Sequence, residues 1–437
     1  MIEKLFIHRF RGIREGVVDN LKKHNIFVGP NNSGKTAILE LLYLAATSGR
    51  EINFIRPDID SDKGSVKQAT LPVKADFLGM EPLARLRRRH GLAQGWADNP
   101  AVIDENGDIQ INLASISHKG EEMPWEQHIL SPPVPEWSRY DTNAFHEDDI
   151  KKLAMFSIPF PDALESGMIP ESFQSHGLDV KDARWHYLWQ TDLVNNSRKN
   201  KPLDHLAVWV DIGQPSYSEH VLHIDFNVVN EPLPSAFTQW AYHNISGWYE
   251  KLSERLWRVY PSMHNAKVEL ADSSERKEGK TAYIRLPDCT PLLLDQFGDG
   301  ARHSFKVLMT LTALEESVDD KHPGIFLWEE PELFHNPAAL SRLLEEVVEI
   351  TKDKPIQTFF VTHDIAVIAQ LTRMLMKDDD LADNTHVFQS NLDAGILQAS
   401  WFAVDNLVSW LEAGFDPRVM DDFDASLSFR LKGEEER

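Results

Sequence analysis

Cysteine is almost absent from these 437 residues: Cys289 stands alone. One thiol cannot close an internal disulfide, so stability must come from a packed core, and the scarcity fits a reducing compartment. Long apolar runs are missing as well. No uncharged stretch approaches the ~20 residues of a membrane-spanning helix. The first residues alternate charged and apolar side chains where a secretory signal would carry an apolar block. The expectation is a cytoplasmic protein with no membrane partner. Positive charge is in short supply: 45 Lys and Arg face 68 Asp and Glu, a net charge of −23. That balance opposes non-specific attraction to nucleic acid, though it leaves room for a local basic groove, so DNA is a possible partner that the charge does not favour. Heptad repeats are lacking, which excludes a long coiled coil. What remains is an ordinary globular composition, 42% apolar and 26% charged, long enough for about two to three domain-sized units.

Against this background one segment stands out, Gly29-Pro30-Asn31-Asn32-Ser33-Gly34-Lys35-Thr36. It fits the phosphate-cradling pattern G-x-x-x-x-G-K-[ST]. An apolar run, Asn25 to Val28, precedes it and reads as a buried strand. A helix follows, with Ile38, Leu41, Leu42 and Ala45 on one face. Strand, glycine loop and helix together give the pattern a mechanism. Backbone N–H groups of the loop and the helix N-terminus surround a β-phosphate. Lys35 adds a point charge on the β- and γ-phosphates, and the Thr36 hydroxyl holds Mg²⁺. ATP and Mg²⁺ are the expected cofactors.

The fold class follows from the alternation of strands and helices: α/β, with a mixed or parallel central sheet flanked by helices. Residues 1–80 read as a first part of that unit, with strands at Lys4 to Phe10, residues 25–28 and Ala69 to Leu78, and a helix over 36–46. Residues 81–265 differ. They hold nine of the twelve tryptophans and the run Pro132-Pro133-Val134-Pro135, and are expected to form a folded, Trp-rich insertion or partner-binding region in which His205–Ile212 and His220–Val228 pair as strands. Over 266–402 the first pattern resumes: strands at Lys267–Leu270 and Thr281–Leu286, a helix over 304–316, a buried strand at Gly324–Trp328, a helix capped by Asn336-Pro337 with Leu340, Leu343, Leu344 and Val347 on one face, and a strand over Pro355–Val361. Residues 403–437 open with a helix and end acidic at Glu434-Glu435-Glu436.

Three further segments carry chemistry. Ile325-Phe326-Leu327-Trp328-Glu329-Glu330 is an apolar strand ending in two carboxylates. Glu329 can support Mg²⁺, directly or through water, and Glu330 can orient and deprotonate an attacking water. Gln296-Phe297-Gly298-Asp299-Gly300-Ala301-Arg302 opens a helix and leaves backbone N–H groups free for an anion. Phe359-Phe360-Val361-Thr362-His363 delivers a histidine at the end of a buried strand.

Four elements in this order resemble an ABC-type ATPase head, a P-loop NTPase of the SMC, RecF, Rad50 and OLD group (AAA15-like). Ile2 to Ile13 is similar to that group's opening strand, Gly29 to Thr36 to its Walker A loop, and Glu330-Pro331-Glu332-Leu333-Phe334-His335-Asn336-Pro337 to the Walker B and D-loop segment of the OLD-like branch. The resemblance spans roughly residues 1–80 and 265–400. It implies nucleotide contacts from Asn31, Asn32, Ser33, Gly34, Lys35, Thr36 and Arg11, metal support from Thr36 and Glu329, catalysis by Glu330 with His363 as the switch histidine at the γ-phosphate, and a signature formed by Gly298, Asp299, Gly300 and Arg302 that acts in trans. Two heads are then joined by ATP and separated by hydrolysis, which makes a homo-oligomer the expected assembly. Among short OLD-like ATPases, the resemblance extends to subunits of PARIS-type and Septu-type antiphage systems, which implies a separately encoded toxic effector and a phage-protein trigger. The alternatives are a RecF-like DNA-repair ATPase that clamps DNA, an OLD-type nuclease-associated ATPase, and a scaffold that binds ATP without turnover. The wording departs from the group in places. Glu329 stands where Asp is usual, the signature lacks its Ser, and Asp299 brings negative charge that Arg302 compensates. Gln68 is the candidate for the Q-loop.

Other signals have plainer explanations. Arg85, Arg87, Arg88, Arg89 and His90 fit a solvated helix face. His220 and His223 differ in strand parity and make poor joint metal ligands. Asp378-Asp379-Asp380 resembles the acids of a Toprim nuclease, but an acidic loop explains it better.

Overall fold

The computed structural model describes residues 1–10, 12–56, 67–73, 76–80, 85, 102–103, 109–110, 154–159, 183–189, 206–211, 220–230, 233–272, 280–287 and 289–419. Its strands are β1 (Ile2–Phe10), β2 (Ile13–Val18), β3 (His24–Val28), β4 (Ser48–Arg56), β5 (Lys67–Val73), β6 (Val102–Ile103), β7 (Ile109–Gln110), β8 (Ala154–Pro159), β9 (Ala183–Trp189), β10 (Leu206–Asp211), β11 (His220–Ile224), β12 (Lys267–Asp272), β13 (Lys280–Arg285), β14 (Leu292–Leu293), β15 (Gly324–Glu329), β16 (Ile356–Val361), β17 (Thr385–Asp393) and β18 (Ile396–Phe402). The helices are α1 (Lys35–Thr47), α2 (Phe226–Asn230), α3 (Ser235–Asn244), α4 (Trp248–Val259), α5 (Asp299–Ser317), α6 (Pro337–Thr351), α7 (Ile365–Leu375), α8 (Asp379–Asp383) and α9 (Val404–Ala413).

Eleven strands form one sheet in the order β11-β15-β16-β3-β17-β18-β2-β1-β10-β9-β8. From β11 to β17 all neighbours run parallel. Every residue of β3, β15 and β16 is buried. Such strands need apolar side chains on both faces, which is why Ile325-Phe326-Leu327-Trp328 and Phe359-Phe360-Val361 are continuous runs instead of alternating ones. Beyond β17 the sheet becomes largely antiparallel. On the parallel side, Leu308 and Leu311 of α5, Leu343, Leu344 and Val347 of α6, and Trp248, Leu252 and Leu256 of α4 join Phe326, Trp328 and Phe360 in one core. The fold is the α/β head expected from the motifs.

Several boundaries move. His205–Ile212 and His220–Val228 do not pair with each other. β10 pairs with β1, while β11 pairs with β15 at the parallel edge. The chain has therefore returned to the head by residue 220, and α4 packs in its core, so the head resumes well before 266. Asp76, rather than continuing a strand to Leu78, organises a turn by accepting from the N–H groups of Leu78 and Met80, both at 2.9 Å. The helix expected from 304 begins at Asp299, since Gly298 already accepts from Ala301 N–H at 3.0 Å. The Asn336 cap holds, its side chain accepting from Ala339 N–H at 2.9 Å, with Pro337 in the first turn. Asp378 is neither nuclease acid nor open loop: its carboxylate caps α8 by accepting from Leu381 N–H at 3.0 Å. Most of the Trp-rich stretch, Arg87 to His90, and the acidic end beyond 419 lie outside the described residues.

Arg85 overturns its expected place on a solvated face. It is 2% exposed and bridges three parts of the head. Its guanidinium donates to Asp76 at 3.2 Å, lies 2.9 Å from Asp225, donates to the His223 carbonyl at 2.6 Å, and sits 5.2 Å from the Tyr43 ring of α1. Its charge holds the Asp225 carboxyl well below its usual range against the opposing effect of burial. Arg85→Ala leaves two buried carboxylates facing each other without a counter-charge. We expect a loss of about 3–5 kcal/mol in unfolding free energy, read from the denaturant midpoint.

Candidate nucleotide site

In open parallel sheets, ligands lie at the carboxyl ends of the strands, and here the register decides which residues arrive together. Glu329 of β15 sits opposite Val361 of β16, and Val361 opposite Phe27 of β3. The ladder runs on past the strand ends: Glu330 N–H donates to the Val361 carbonyl at 2.8 Å and Thr362 N–H to the Phe27 carbonyl at 3.1 Å. The Gly29 loop, the Glu329–Glu330 pair and His363 consequently emerge side by side.

Gly29 has a φ of +143°, and a Cβ there would stand 2.4 Å from the Ser390 carbonyl oxygen, so only glycine lets the loop leave β3 against β17. Asn31 and Asn32 are exposed at the loop tip; Asn32 takes a left-handed φ of 63°, which Asn tolerates better than most residues. Ser33 is buried. Lys35 starts α1 with its ammonium gathered into the loop, donating to the carbonyls of Gly29 (2.9 Å) and Pro30 (2.6 Å) and to Ser33 Oγ (3.0 Å). Burial lowers its pKa to about 8, opposed by the charge of Glu330.

Thr36 Oγ1 donates to Glu329 Oε1 at 2.8 Å. A hydroxyl and a carboxylate oxygen brought together beside a phosphate loop are the hard oxygen donors that Mg²⁺ prefers. The residues thus fit the ion, and the backbone N–H groups at the start of α1 fit a phosphate. Glu330 has a φ of 49°, rare for a residue with a Cβ and typical of positions whose geometry serves a site. His363 is half-buried. Burial and the nearby Lys35 charge lower its pKa, while a hydrogen bond to the Gly29 backbone acts in the opposite sense. Its ring is therefore neutral above its ordinary value of 6.5.

The expected signature residues lie elsewhere in the chain's own fold. Gly298 caps α5 without any side-chain hydrogen bond, and Gly300 passes so close to the next segment that a Cβ would stand 2.6 Å from the Phe334 carbonyl oxygen. Arg302 forms an ion pair with Asp299 one turn away, so each neutralises the other within the helix start. His303 and Ser304 then bind Leu333 and His335, both at 2.9 Å, tying this helix to the segment that leaves Glu330. Arg11 lies outside the described residues, as does the side-chain environment of Gln68 on β5.

Residues 1–113 match the family described as AAA ATPase domain, AAA_15. The motif order through β3, β15 and β16 extends the likeness into an SMC/RecF/Rad50-like ABC ATPase head. A stretch of 42 residues is 50% identical to the DNA replication and repair protein RecF of Psychromonas ingrahamii, covering 10% of this chain and 12% of that protein. Another, of 51 residues, is 49% identical to the uncharacterized protein MJECL10 of Methanocaldococcus jannaschii, covering 11% and 23%. The chain thus matches only a small part of these relatives' lengths. Among solved structures, an SMC head bound to the C-winged helix domain of ScpA aligns over 93% of this chain and 99% of its own at 12% identity and a TM-score of 0.45. The SMC head domain from Thermotoga maritima aligns over 92% and 98% at 11% identity and a TM-score of 0.35.

Two parts of the site had no role in the sequence analysis. Glu332 accepts from Thr362 Oγ1 at 2.9 Å and from His363 N–H at 3.1 Å, and burial raises its pKa. It lay in plain view in Glu330-Pro331-Glu332, but its partner is thirty residues away. Arg418 donates to the His363 carbonyl at 2.8 Å; no motif announces it.

The Lys35 ammonium is the form that attracts phosphate. ATP affinity should therefore be flat from about pH 6.5 to 7.5 and weaken as pH rises through about 8, by up to about tenfold per unit. Fold stability moves the other way. A lysine whose pKa is lower in the folded state holds fewer protons there, so unfolding free energy rises between about 8 and the ordinary 10.5. Equilibrium binding of a fluorescent ATP analogue checks the first trend. Lys35→Ala should lose binding at every pH, and retention of normal affinity would refute the phosphate contact.

Proposed function

We propose that this chain binds ATP with Mg²⁺ at the Lys35 loop and hydrolyses it between two copies of itself. The observation that carries the proposal is the Thr36–Glu329 bond of 2.8 Å beside the Lys35 ammonium, with Glu330 and His363 on the adjoining strand ends. Mg²⁺, held by the Thr36 hydroxyl and Glu329 directly or through water, would neutralise charge on the β- and γ-phosphate oxygens. Lys35 binds the same oxygens. Glu330, one residue further along, orients a water and takes its proton. The neutral His363 ring, hydrogen-bonded to the Gly29 backbone, would sense the γ-phosphate. The uncapped N–H groups after Gly298 support a role toward the nucleotide of a second copy, where a helix N-terminus favours an anion. The Asp299–Arg302 pair makes that approach electrically neutral.

On this reading the head is a nucleotide-controlled switch, and its resemblance to PARIS-type subunits supports control of a separately encoded toxic effector released by a phage-protein trigger. The short RecF match favours a second reading, a DNA clamp closed by ATP. The net charge of −23 opposes it. Tight DNA binding that weakens steeply with salt would favour the clamp.

Glu330→Gln keeps the shape of the side chain but removes the base. Steady-state hydrolysis should fall by at least about a hundredfold, with ATP affinity retained and ATP-dependent dimers accumulating in light scattering. Unchanged turnover would remove Glu330 from catalysis.

A further inference from the structure

The switch histidine is held on one side by a group outside every motif, and we infer that Arg418 is a positioning residue for it. The inference rests on the ATPase reading above. His363 sits in the two-residue connection between β16 and the Asp364 cap of α7, whose carboxylate accepts from Ala366 N–H at 2.7 Å. A connection this short has few backbone bonds of its own, so its peptide groups need outside partners. His363 N–H donates to Glu332, and its carbonyl accepts from Arg418 Nη1 at 2.8 Å. The two sides of one residue are thereby gripped from the Glu330 segment and from the far end of the chain.

Arg418 is itself set by a built turn. Helix α9 ends at Gly414 in the left-handed region, and Phe415 N–H returns to the Trp410 carbonyl at 2.9 Å. Asp416, 8% exposed, accepts from the Arg418 backbone N–H at 2.9 Å. It also takes a forked bond from the guanidinium, Nε at 2.9 and 3.1 Å and Nη2 at 2.5 Å. Pro417 lies between them with its φ already fixed for a turn. A planar guanidinium clamped on one edge by a carboxylate has few ways to point its remaining donor, which is what positioning requires. Its base, α9, packs on α7 through Leu407 and Leu411 in the common core. Arg418 therefore fixes the height of the His363 backbone above the phosphate loop without touching nucleotide, and links the C-terminal segment to the site.

The test is a double-mutant cycle on the full chain, with ATP turnover, ATP affinity and thermal unfolding measured for Arg418→Ala, Arg418→Lys, His363→Ala and the Arg418→Ala/His363→Ala pair. If Arg418 acts through His363, Arg418→Ala lowers kcat by about tenfold with KM for ATP within about twofold, as expected for a group that shapes only the reacting arrangement. It then adds nothing in the His363→Ala background. Arg418→Lys, which can still donate one bond to the carbonyl, recovers part of the rate. Additive losses in the double variant, or loss of kcat in Arg418→Ala matched by an equal loss in Arg418→Lys at unchanged melting temperature, would overturn the assignment. A full rate in Arg418→Ala with a reduced rate in His363→Ala would overturn the positioning role alone. A full rate in His363→Ala would remove the switch role of His363 and the positioning role with it, and no turnover in the unaltered chain would overturn the ATPase reading beneath both.

Discussion

The site depends on the register of three parallel strands. β15, β16 and β3 are locked so that Glu329, Val361 and Phe27 stand in line. Slipping any one of them by a residue would turn its side chains to the opposite face. Thr36 would then face no carboxylate, and His363 would leave the loop. Register is held by bulk more than by hydrogen bonds. Phe27, Phe326, Trp328, Phe359 and Phe360 are all at most 1% exposed, and each can occupy only one side of the sheet. The aromatic core is thus the device that measures out the spacing between the Lys35 loop, Glu329 and His363.

That dependence explains what the sequence disclosed and what it hid. Continuous apolar runs mark the central strands because burial on both faces leaves no polar alternation, and each run ends at a chemically loaded residue. The phosphate loop, the Glu329–Glu330 pair and His363 were legible for that reason. The partners of β10 and β11 were not. Alternation within each is equally compatible with a local hairpin, and only the three-dimensional sheet shows that they lie on either side of the whole assembly. Arg85 was misplaced because neighbouring arginines suggest solvent. Its real partners, Asp76 and Asp225, are separated by almost 150 residues of chain and look unremarkable in isolation. Arg418 left no trace because a bond to a backbone carbonyl asks for no particular residue at the accepting end.

Electrostatics around the site are arranged to keep its charges useful. A buried ammonium would be costly in an apolar pocket, but three oxygen acceptors and the nearby Glu330 keep Lys35 available for phosphate. The same ammonium disfavours a second positive charge, which is one reason His363 stays neutral. One ammonium and two carboxylates in a small space form a set whose balance shifts when the negative charges of a triphosphate enter.

The acid at position 329 illustrates how strand geometry and chemistry trade off. Glutamate carries one methylene more than aspartate, and on a flexible segment the extra bond would loosen any metal-supporting oxygen. Here the residue is the last of a fully buried strand, 7% exposed, so its backbone has little room to drift. The bond to Thr36 at 2.8 Å uses the added reach to span from β15 to α1. The cost appears at the next residue, where the chain must turn sharply and Glu330 takes a left-handed backbone. Two acids in sequence therefore need not share one backbone geometry: the strand holds Glu329 against the helix, and Glu330 begins the turn.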